Sequence, residues 1–238
     1  MGRAHEVRKE AMQKTSLKKS RLYSKYGKEI YMVAKGGYDP ESNLTLKRLI
    51  EKARKDQVPS DIIARAIEKA KGGSEEHYQE MRYEFYGPAN TMFIIECLTD
   101  NPARTIALVR NAFTKTGGKM GAVLHLFEHL AMFTLKDFSI DELLEHFILT
   151  DTNFKDLEEE DDLITVYGEV NDYNIIKTSL LELKDDLELE IDEIAWLPFN
   201  YQTLTKEDDI NNYQKLREML DDIEDVANVY HNAIIAEK

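Results

Sequence analysis

Apolar residues in the first third of the chain recur every three or four positions, which is the spacing of an amphipathic helix. In the segment 20–37, large apolar side chains fall on one side of the helical wheel and a stripe of basic residues falls on the other. The segments 38–57 and 58–73 also have an apolar helical face, with basic residues elsewhere on the helix in 38–57, and a pair of glycines follows the first and the third helix. The sequence therefore predicts a small helical bundle, with one shorter helix before residue 18.

Residues at the start of the second and third helices predict where these helices begin. Asp39 is expected to cap the second helix with Pro40 in its first position, and Ser60 is expected to cap the third. The expected core positions of the two helices are Leu46, Leu49, Ile50, Ala53, Ile62, Ile63, Ala66, Ile67 and Ala70.

From residue 81 the pattern changes to short apolar runs that alternate with helical segments. Two strands joined at Gly87-Pro88 are followed by a helix that Asn101 is expected to cap. The later strands are predicted in 129–137, 162–170, 190–199 and 227–235, and the later helices in 139–149, 170–183 and 210–226. This order indicates a ferredoxin-like α+β unit, in which the acidic run 156–162 is expected to be a solvated loop.

Charge is distributed unevenly along the chain. Residues 1–72 contain 18 Lys/Arg and 9 Asp/Glu, whereas the remaining residues contain 13 Lys/Arg and 36 Asp/Glu, and the whole chain carries −14. This division favours a module that binds a polyanion joined to an acidic body, with chance clustering on a solvated face as the alternative. Charge alone does not distinguish RNA from DNA.

Phosphate contacts require only Lys and Arg side chains in a suitable register. The candidate nucleic-acid-binding residues of the first segment are Arg3, Arg8, Lys9, Lys14, Lys18, Lys19, Arg21, Lys25, Lys28, Lys47, Arg48, Lys52 and Lys55. Tyr23, Tyr26 and Tyr31 are candidates for stacking on bases, although Tyr26 lies on the apolar face and is better explained as a core residue.

The sequence contains none of the common catalytic or cofactor-binding motifs. P-loop, GxGxxG, HExxH and CxxC patterns are missing, so we expect neither an enzyme nor a cofactor. His125 and His129 have a spacing that would suit a metal on a helix, but a strand is predicted there and core or surface roles are favoured. Cys97 is the only cysteine, and its apolar surroundings predict a buried side chain.

Cellular location is inferred from features that the sequence lacks. The chain has no long apolar run that could span a membrane, and its charged N-terminus does not resemble a secretory signal. A single cysteine excludes a disulfide within the chain. These observations favour a cytoplasmic protein, which we expect to be a monomer.

Several segments of the chain carry distinctive motifs: MGR at 1–3, SRLYSKYGKEIY at 20–31, DPESN at 39–43, IARAIEKAKGGSEE at 63–76, YEFYGP at 83–88, ECLTDNPARTIALVRNAF at 96–113, GGKMG at 117–121 and DIEDVANVYHN at 222–232. These motifs resemble those of the YebC/PmpR family, in its YeeN-like branch, whose relatives include the mitochondrial translational activator of cytochrome c oxidase. The motifs span nearly the whole chain in the family's order. After Gly121 the family's short Gly/Ser loop is cut short in this sequence.

The resemblance implies an N-terminal helical bundle followed by two α+β domains, of which the ferredoxin-like one is inserted in the other. The implied boundaries are 1–76 for the basic helical domain, 77–128 plus 203–238 for the middle domain and 129–202 for the insertion.

The resemblance also implies a function. Bacterial members of the family resemble ribosome-associated factors that relieve stalling, notably at proline-rich stretches. We therefore expect a non-enzymatic translation factor that binds rRNA, with Arg104, Lys115 and Lys119 as further contacts to rRNA or tRNA. A transcriptional regulator that binds duplex DNA is the alternative. A third interpretation is a protein-interaction module whose acidic body docks a basic partner.

Overall fold

The computed structural model of the protein describes residues 19–72, 77–184 and 187–236. These residues form two compact units. One extends from Leu124 to Gln202, and the other contains the described residues up to Val123 together with those from Thr203 onward. The helical segment and the middle sheet therefore share one unit, and the three-domain division at residues 76, 128 and 202 stays a prediction.

Seven α-helices and ten strands are present in the described residues. The helices are α1 Lys19–Lys35, α2 Leu44–Lys55, α3 Ser60–Lys71, α4 Pro102–Lys115, α5 Ile140–Leu149, α6 Tyr173–Glu182 and α7 Glu207–Asp221. The strands are β1 Gln79–Tyr86, β2 Met92–Thr99, β3 Lys119–Met120, β4 Phe127–Lys136, β5 Asp156–Glu160, β6 Leu163–Glu169, β7 Ile191–Pro198, β8 Gln202–Leu204, β9 Val226–His231 and β10 Ala233–Ile235. The protein is thus an α+β protein with a helical N-terminal region, as predicted.

Helices α1, α2 and α3 pack around a shared apolar core. Tyr26 and Ile30 of α1 meet Leu46 and Ile50 of α2, and Ile63 of α3 completes the contact. All five side chains are buried, because the 3.6-residue period places them on the inner face of each helix. The predicted core positions Leu49, Ile62, Ile67 and Ala70 are partly buried at the margin of this cluster.

The predicted caps of α2 and α3 are wrong. Asn43 caps α2 instead of Asp39, since the Asn43 side chain accepts a hydrogen bond from Leu46 N at 3.1 Å. Asp39 begins the turn that precedes the helix, and its carbonyl accepts from Asn43 N at 2.9 Å. Ser60 is the first residue of α3, and the extended Pro59 before it occupies the cap position without a side-chain hydrogen bond. The helix starts later than predicted because residues 39–43 form a turn that begins with Asp39-Pro40, and the sequence pattern had assigned these residues to the helix.

The middle sheet has the order β3-β1-β2-β9 and is antiparallel. Helices α4 and α7 supply Phe113 and Leu216 to its core, opposite Phe85 and Phe93 of the sheet. Asn101 caps α4, as predicted, by accepting from Arg104 N at 3.1 Å.

The closing segment 227–235 is two strands rather than one. Strand β9 pairs with β2, whereas β10 pairs with β8 in a separate two-stranded sheet. Asn232 lies between them, and its side chain accepts from Met92 N at 2.8 Å. This hydrogen bond replaces a ladder bond at the point where the chain leaves the sheet.

The second unit is ferredoxin-like, as predicted, but its order β4-α5-β5-β6-α6-β7 contains one strand more than the sequence pattern predicted. The sheet order is β5-β6-β4-β7. All of its strand pairs are antiparallel. Ala131, Phe133 and Leu135 of β4 face α5 and α6 and are buried against them.

The prediction of a loop over the acidic run 156–162 is wrong for most of its length. Residues Asp156–Glu160 form the edge strand β5, which pairs with β6. Leu157 packs against the core, and the Glu158 carboxylate accepts a hydrogen bond from the Tyr167 hydroxyl at 2.8 Å. Charged side chains are well suited to an edge strand because they discourage pairing with other chains.

Candidate nucleic-acid interface

Helix α2 presents a row of basic side chains on the side opposite its core face. Arg48, Lys52 and Lys55 have the spacing i, i+4, i+7, which places them within about 60° of one another around the helix. Lys52 and Lys55 are exposed and Arg48 is half-buried. Lys47 lies at the edge of this row, with its ammonium group 3.2 Å from a Glu41 carboxylate oxygen. We refer to Lys47, Arg48, Lys52 and Lys55 as the α2 basic surface.

The basic residues of α1 are placed differently, because two of them contact the middle sheet of the same unit. Lys25 Nζ donates to Asn228 Oδ1 at 2.8 Å, and Lys28 Nζ donates to Asp225 Oδ1 at 3.1 Å. Only 13% of the Lys28 side chain is exposed. These two candidates therefore hold α1 against the strand β9 region, which limits their access to an external phosphate.

The ammonium group of Lys28 contacts a buried carboxylate, Asp225, which is the centre of a hydrogen-bond network. Asp225 Oδ2 accepts from Arg104 Nη2 at 2.8 Å, and the hydroxyl groups of Thr105 and Thr99 lie 2.8 Å and 3.2 Å from the same oxygen. Thr99 in turn accepts from Asn101 N at 2.9 Å. We call Lys28, Thr99, Arg104, Thr105 and Asp225 the Asp225 network. It connects α1, the end of β2, the first turn of α4 and the residue before β9.

Hydrogen bonds and nearby cations determine the charge state of Asp225. Burial alone would favour the protonated acid, but hydrogen bonds from Arg104, Thr105 and Lys28 outweigh it and lower the carboxyl pKa from 3.8 to about 2. The position at the N-terminus of α4 also favours a negative charge. Asp225 is therefore ionised at neutral pH, and sequence reasoning did not identify it.

Arg104, Lys115 and Lys119 were predicted to contact RNA around α4 and the GGKMG turn. The Arg104 guanidinium binds both Asp225 and Asp100, the latter at 2.9 Å. Lys115 ends α4 and Lys119 begins β3, and both side chains are exposed. The structure therefore gives Arg104 a role inside the protein and leaves the two lysines at the surface.

Two of the three tyrosines of α1 are buried, so the three together do not form a surface on which bases could stack. Tyr26 is buried, as favoured by the sequence, and its hydroxyl group donates to Asp56. Tyr31 is also buried, which contradicts the prediction that it stacks on bases, because Tyr78 packs edge-to-face against it at 5.9 Å. Tyr23 is half-buried.

The cysteine and the two histidines considered as reactive or metal-binding groups do not form a reactive site. Burial raises the pKa of the Cys97 thiol to about 12, so this core cysteine is a protonated thiol at neutral pH. His129 lies in β4 and stacks on Trp196 with the ring centroids 4.2 Å apart, whereas His125 is exposed in the preceding turn. Within the described ranges, no group of three or more His, Cys, Asp or Glu side chains is arranged to hold a metal ion.

The ferredoxin-like unit has the opposite electrostatic character. Residues 124–202 contain 21 Asp/Glu and 4 Lys/Arg, a net charge of −17. This unit therefore lacks the positive charge with which a nucleic-acid-binding module contacts phosphates.

Several predicted residues cannot be placed. Arg3, Arg8, Lys9, Lys14 and Lys18, and the short helix expected before residue 18, lie outside the described residues. Lys19 and Arg21 belong to α1. Among the helices that the structure does describe, none combines the length and hydropathy needed to cross a membrane.

The fold and the surface define an α+β protein that has a basic helical region and an acidic ferredoxin-like insertion. Two family models match this chain. Residues 3–73 match the TACO1/YebC protein N-terminal domain, and residues 78–233 match the TACO1/YebC second and third domain. The chain belongs to the TACO1/YebC family.

Relatives of known sequence support the same assignment. A probable transcriptional regulatory protein of Alteromonas mediterranea is 50% identical, with 98% of this chain and 99% of the relative covered. A protein of the same name from Marinobacter nauticus is 48% identical, with 98% of each chain covered. The crystal structure of a conserved hypothetical protein from Aquifex aeolicus superposes with a TM-score of 0.77 at 31% identity, covering 94% of this chain and 93% of that one.

Proposed function

We propose that this protein is a non-enzymatic regulatory protein that binds nucleic acid through phosphate contacts of the α2 basic surface. The observation that carries the proposal is the row formed by Arg48, Lys52 and Lys55 on the outer side of α2. Three cations in one row can follow a phosphate backbone without reading its sequence. The acidic unit 124–202 repels polyanions, so it restricts binding to this part of the surface.

Ribosomal RNA is the first candidate ligand, with the protein acting on the ribosome to relieve stalling at proline-rich sequences. Helices α2 and α3 contain no Asn or Gln residue, so they lack the side chains that read adenine in a major groove. This composition favours recognition of a phosphate arrangement over recognition of a base sequence. The exposed Lys115 and Lys119 are the candidates for a second contact, to rRNA or tRNA.

Regulation of transcription through duplex DNA is the second candidate, and it is favoured by the relatives that are named probable transcriptional regulatory proteins. This function needs one duplex sequence to be bound far more tightly than others, typically by a factor of about 10³ or more. Selection from a random pool of duplexes, compared with binding to purified bacterial ribosomes at physiological salt, separates the two candidates. A strongly enriched duplex with weak ribosome binding would replace the first candidate by the second.

Removal of the α2 basic surface is expected to weaken ribosome binding about tenfold or more at physiological salt. The variant replaces Lys47, Arg48, Lys52 and Lys55 by Gln, which is an unbranched polar residue of similar helix propensity, and so removes four charges. The slope of log affinity against log salt is expected to become shallower by about 3, since each lost phosphate contact lowers it by roughly 0.7–0.9. Co-sedimentation over a salt series measures both quantities.

A control variant makes the same charge change elsewhere. Lys136, Lys184, Lys206 and Lys215 are all exposed, and their replacement by Gln also removes four charges. If the two variants weaken binding equally, net charge accounts for the effect and the α2 basic surface is not the contact.

A further inference from the structure

The turn after α1 exposes an aromatic ring beside lysine side chains. Tyr38 is 58% exposed, which is the largest exposure of any aromatic side chain in the described part of the chain. The Lys71 ammonium group lies 5.3 Å from the centre of its ring. An exposed ring of this size contributes little to the core, so its position is not explained by packing within the bundle.

Two more lysines lie near the ring of Tyr31, which precedes Tyr38 by seven residues in the chain. Lys35 Nζ is 4.9 Å and Lys69 Nζ is 5.8 Å from the Tyr31 ring centre. Lys35 ends α1, while Lys69 and Lys71 belong to the last turn of α3. The end of α1 and the last turn of α3 thus place three exposed lysines beside the ring of Tyr31 or of Tyr38, and Glu68, 3.4 Å from Lys71, offsets part of this charge.

The turn that carries Tyr38 is fixed by hydrogen bonds. The Asn43 side-chain amide donates to the Gly37 carbonyl at 2.7 Å and to the Val33 carbonyl at 3.2 Å. Gly37 has φ of +157°, which suits glycine, and Pro40 follows within the same turn. Since the backbone on both sides of the ring is held in place, little conformational entropy is lost when a ligand covers the ring.

We propose that Tyr38, Lys35, Lys69 and Lys71 bind one unpaired nucleotide of an RNA, with the base stacked on the Tyr38 ring and the adjacent phosphates on the lysines. This inference rests on the proposed nucleic-acid function and adds a site that is separate from the α2 basic surface. Aromatic rings flanked by cations are the usual means of holding single-stranded nucleic acid. A base inside a duplex is already stacked, so the site selects unpaired segments.

The test compares Tyr38→Ala with Tyr38→Phe. The probes are a short uridine oligonucleotide that carries 2-aminopurine at its centre and an RNA duplex of equal length. Tyr38→Ala is expected to weaken single-strand binding about fivefold or more, which is the lower range for loss of one stacked base, and to leave duplex binding unchanged within twofold. Tyr38→Phe keeps the ring and is expected to bind both probes as the unmodified protein does.

A second readout reports stacking directly. The 2-aminopurine fluorescence is expected to be quenched by the unmodified protein and by Tyr38→Phe, but not by Tyr38→Ala. Phe199→Ala is the matched control, because it removes a ring of similar exposure, 53%, from the acidic unit.

The outcomes distinguish this inference from the proposed function. If Tyr38→Ala binds and quenches as the unmodified protein does, while the α2 variant loses ribosome binding, only the stacking site is wrong. If Tyr38→Ala weakens binding to the single strand and to the duplex equally, the ring contributes to nucleic-acid binding in general. The proposed site for an unpaired nucleotide is then wrong as well. If the α2 variant and the unmodified protein bind ribosomes equally, the proposed function fails whatever the result at Tyr38.

Discussion

Replacement of Asp225 by alanine is expected to lower the free energy of unfolding by about 3 kcal/mol at pH 7. The carboxylate lies within hydrogen-bonding distance of Arg104, Lys28 and two threonine hydroxyl groups, and only 7% of its side chain is exposed. Its removal leaves two cations close together without their shared anion. Donors that lose a buried acceptor cost free energy unless water reaches them, and Lys28 is largely shielded from water.

Urea unfolding of the unmodified protein and of Asp225→Ala measures this difference, provided that the free energy of unfolding falls with urea concentration at the same slope in both. Glu224→Ala is the matched control, because Glu224 is the adjacent residue, is 70% exposed, and lies 3.9 Å from the same Lys28 ammonium group. An exposed ion pair contributes at most about 1 kcal/mol. Equal losses in the two variants would show that burial of the Asp225 network contributes nothing beyond a surface ion pair.

The Asp225 network changes how the basic character of α1 is understood. Lys25 and Lys28 meet acceptors of the middle sheet, so part of the positive charge of the N-terminal segment stabilises the protein internally. Substitution of these lysines would disturb the packing of α1 as well as any contact with RNA. The α2 basic surface is the cleaner target, because its side chains point away from the bundle core.

Local patterns in the sequence predicted the elements with strong periodicity. The three helices of the bundle, the cap at Asn101, and the two helices and three of the four strands of the ferredoxin-like unit follow from apolar spacing and capping residues. Strand β5 was missed because four of its five residues are acidic and only Leu157 faces the core. The short strands β3 and β8, and the break between β9 and β10, depend on pairing with distant strands, which no local pattern reveals.

The candidate site was predicted only in part, because local spacing identifies residues on one helix but not contacts between distant segments. The sequence named Lys47, Arg48, Lys52 and Lys55 as candidates on the second helix, and the structure shows Arg48, Lys52 and Lys55 in one row at the surface. The contact between Lys28 and Asp225 joins residues 197 positions apart, so it could not be derived from local spacing. The members of the network lie in the motifs at 20–31, 96–113 and 222–232, but nothing in these motifs indicates that they meet.

Acidification is expected to remove about 2 kcal/mol of stability from the unmodified protein that an Asp225→Asn variant does not lose. The folded-state pKa of Asp225 is about 2, below its ordinary value of 3.8. A carboxyl whose pKa is depressed by folding stabilises the protein above its unfolded pKa and loses this contribution as pH falls through the folded pKa. The window therefore runs from about pH 5 down to about pH 2, and a difference of nearly two pKa units corresponds to roughly 2 kcal/mol.

The measurement is the free energy of unfolding in urea at several pH values between neutral and about pH 2, for both proteins. Asn keeps the shape of Asp but does not titrate, so the many other carboxyl groups affect both chains alike and cancel in the difference. We expect the stability gap between the two proteins to narrow steadily as pH falls below about 4. A gap that stays constant over this range would mean that the Asp225 carboxyl has the same pKa in the folded and unfolded states, and that Arg104 and Lys28 do not stabilise its charge.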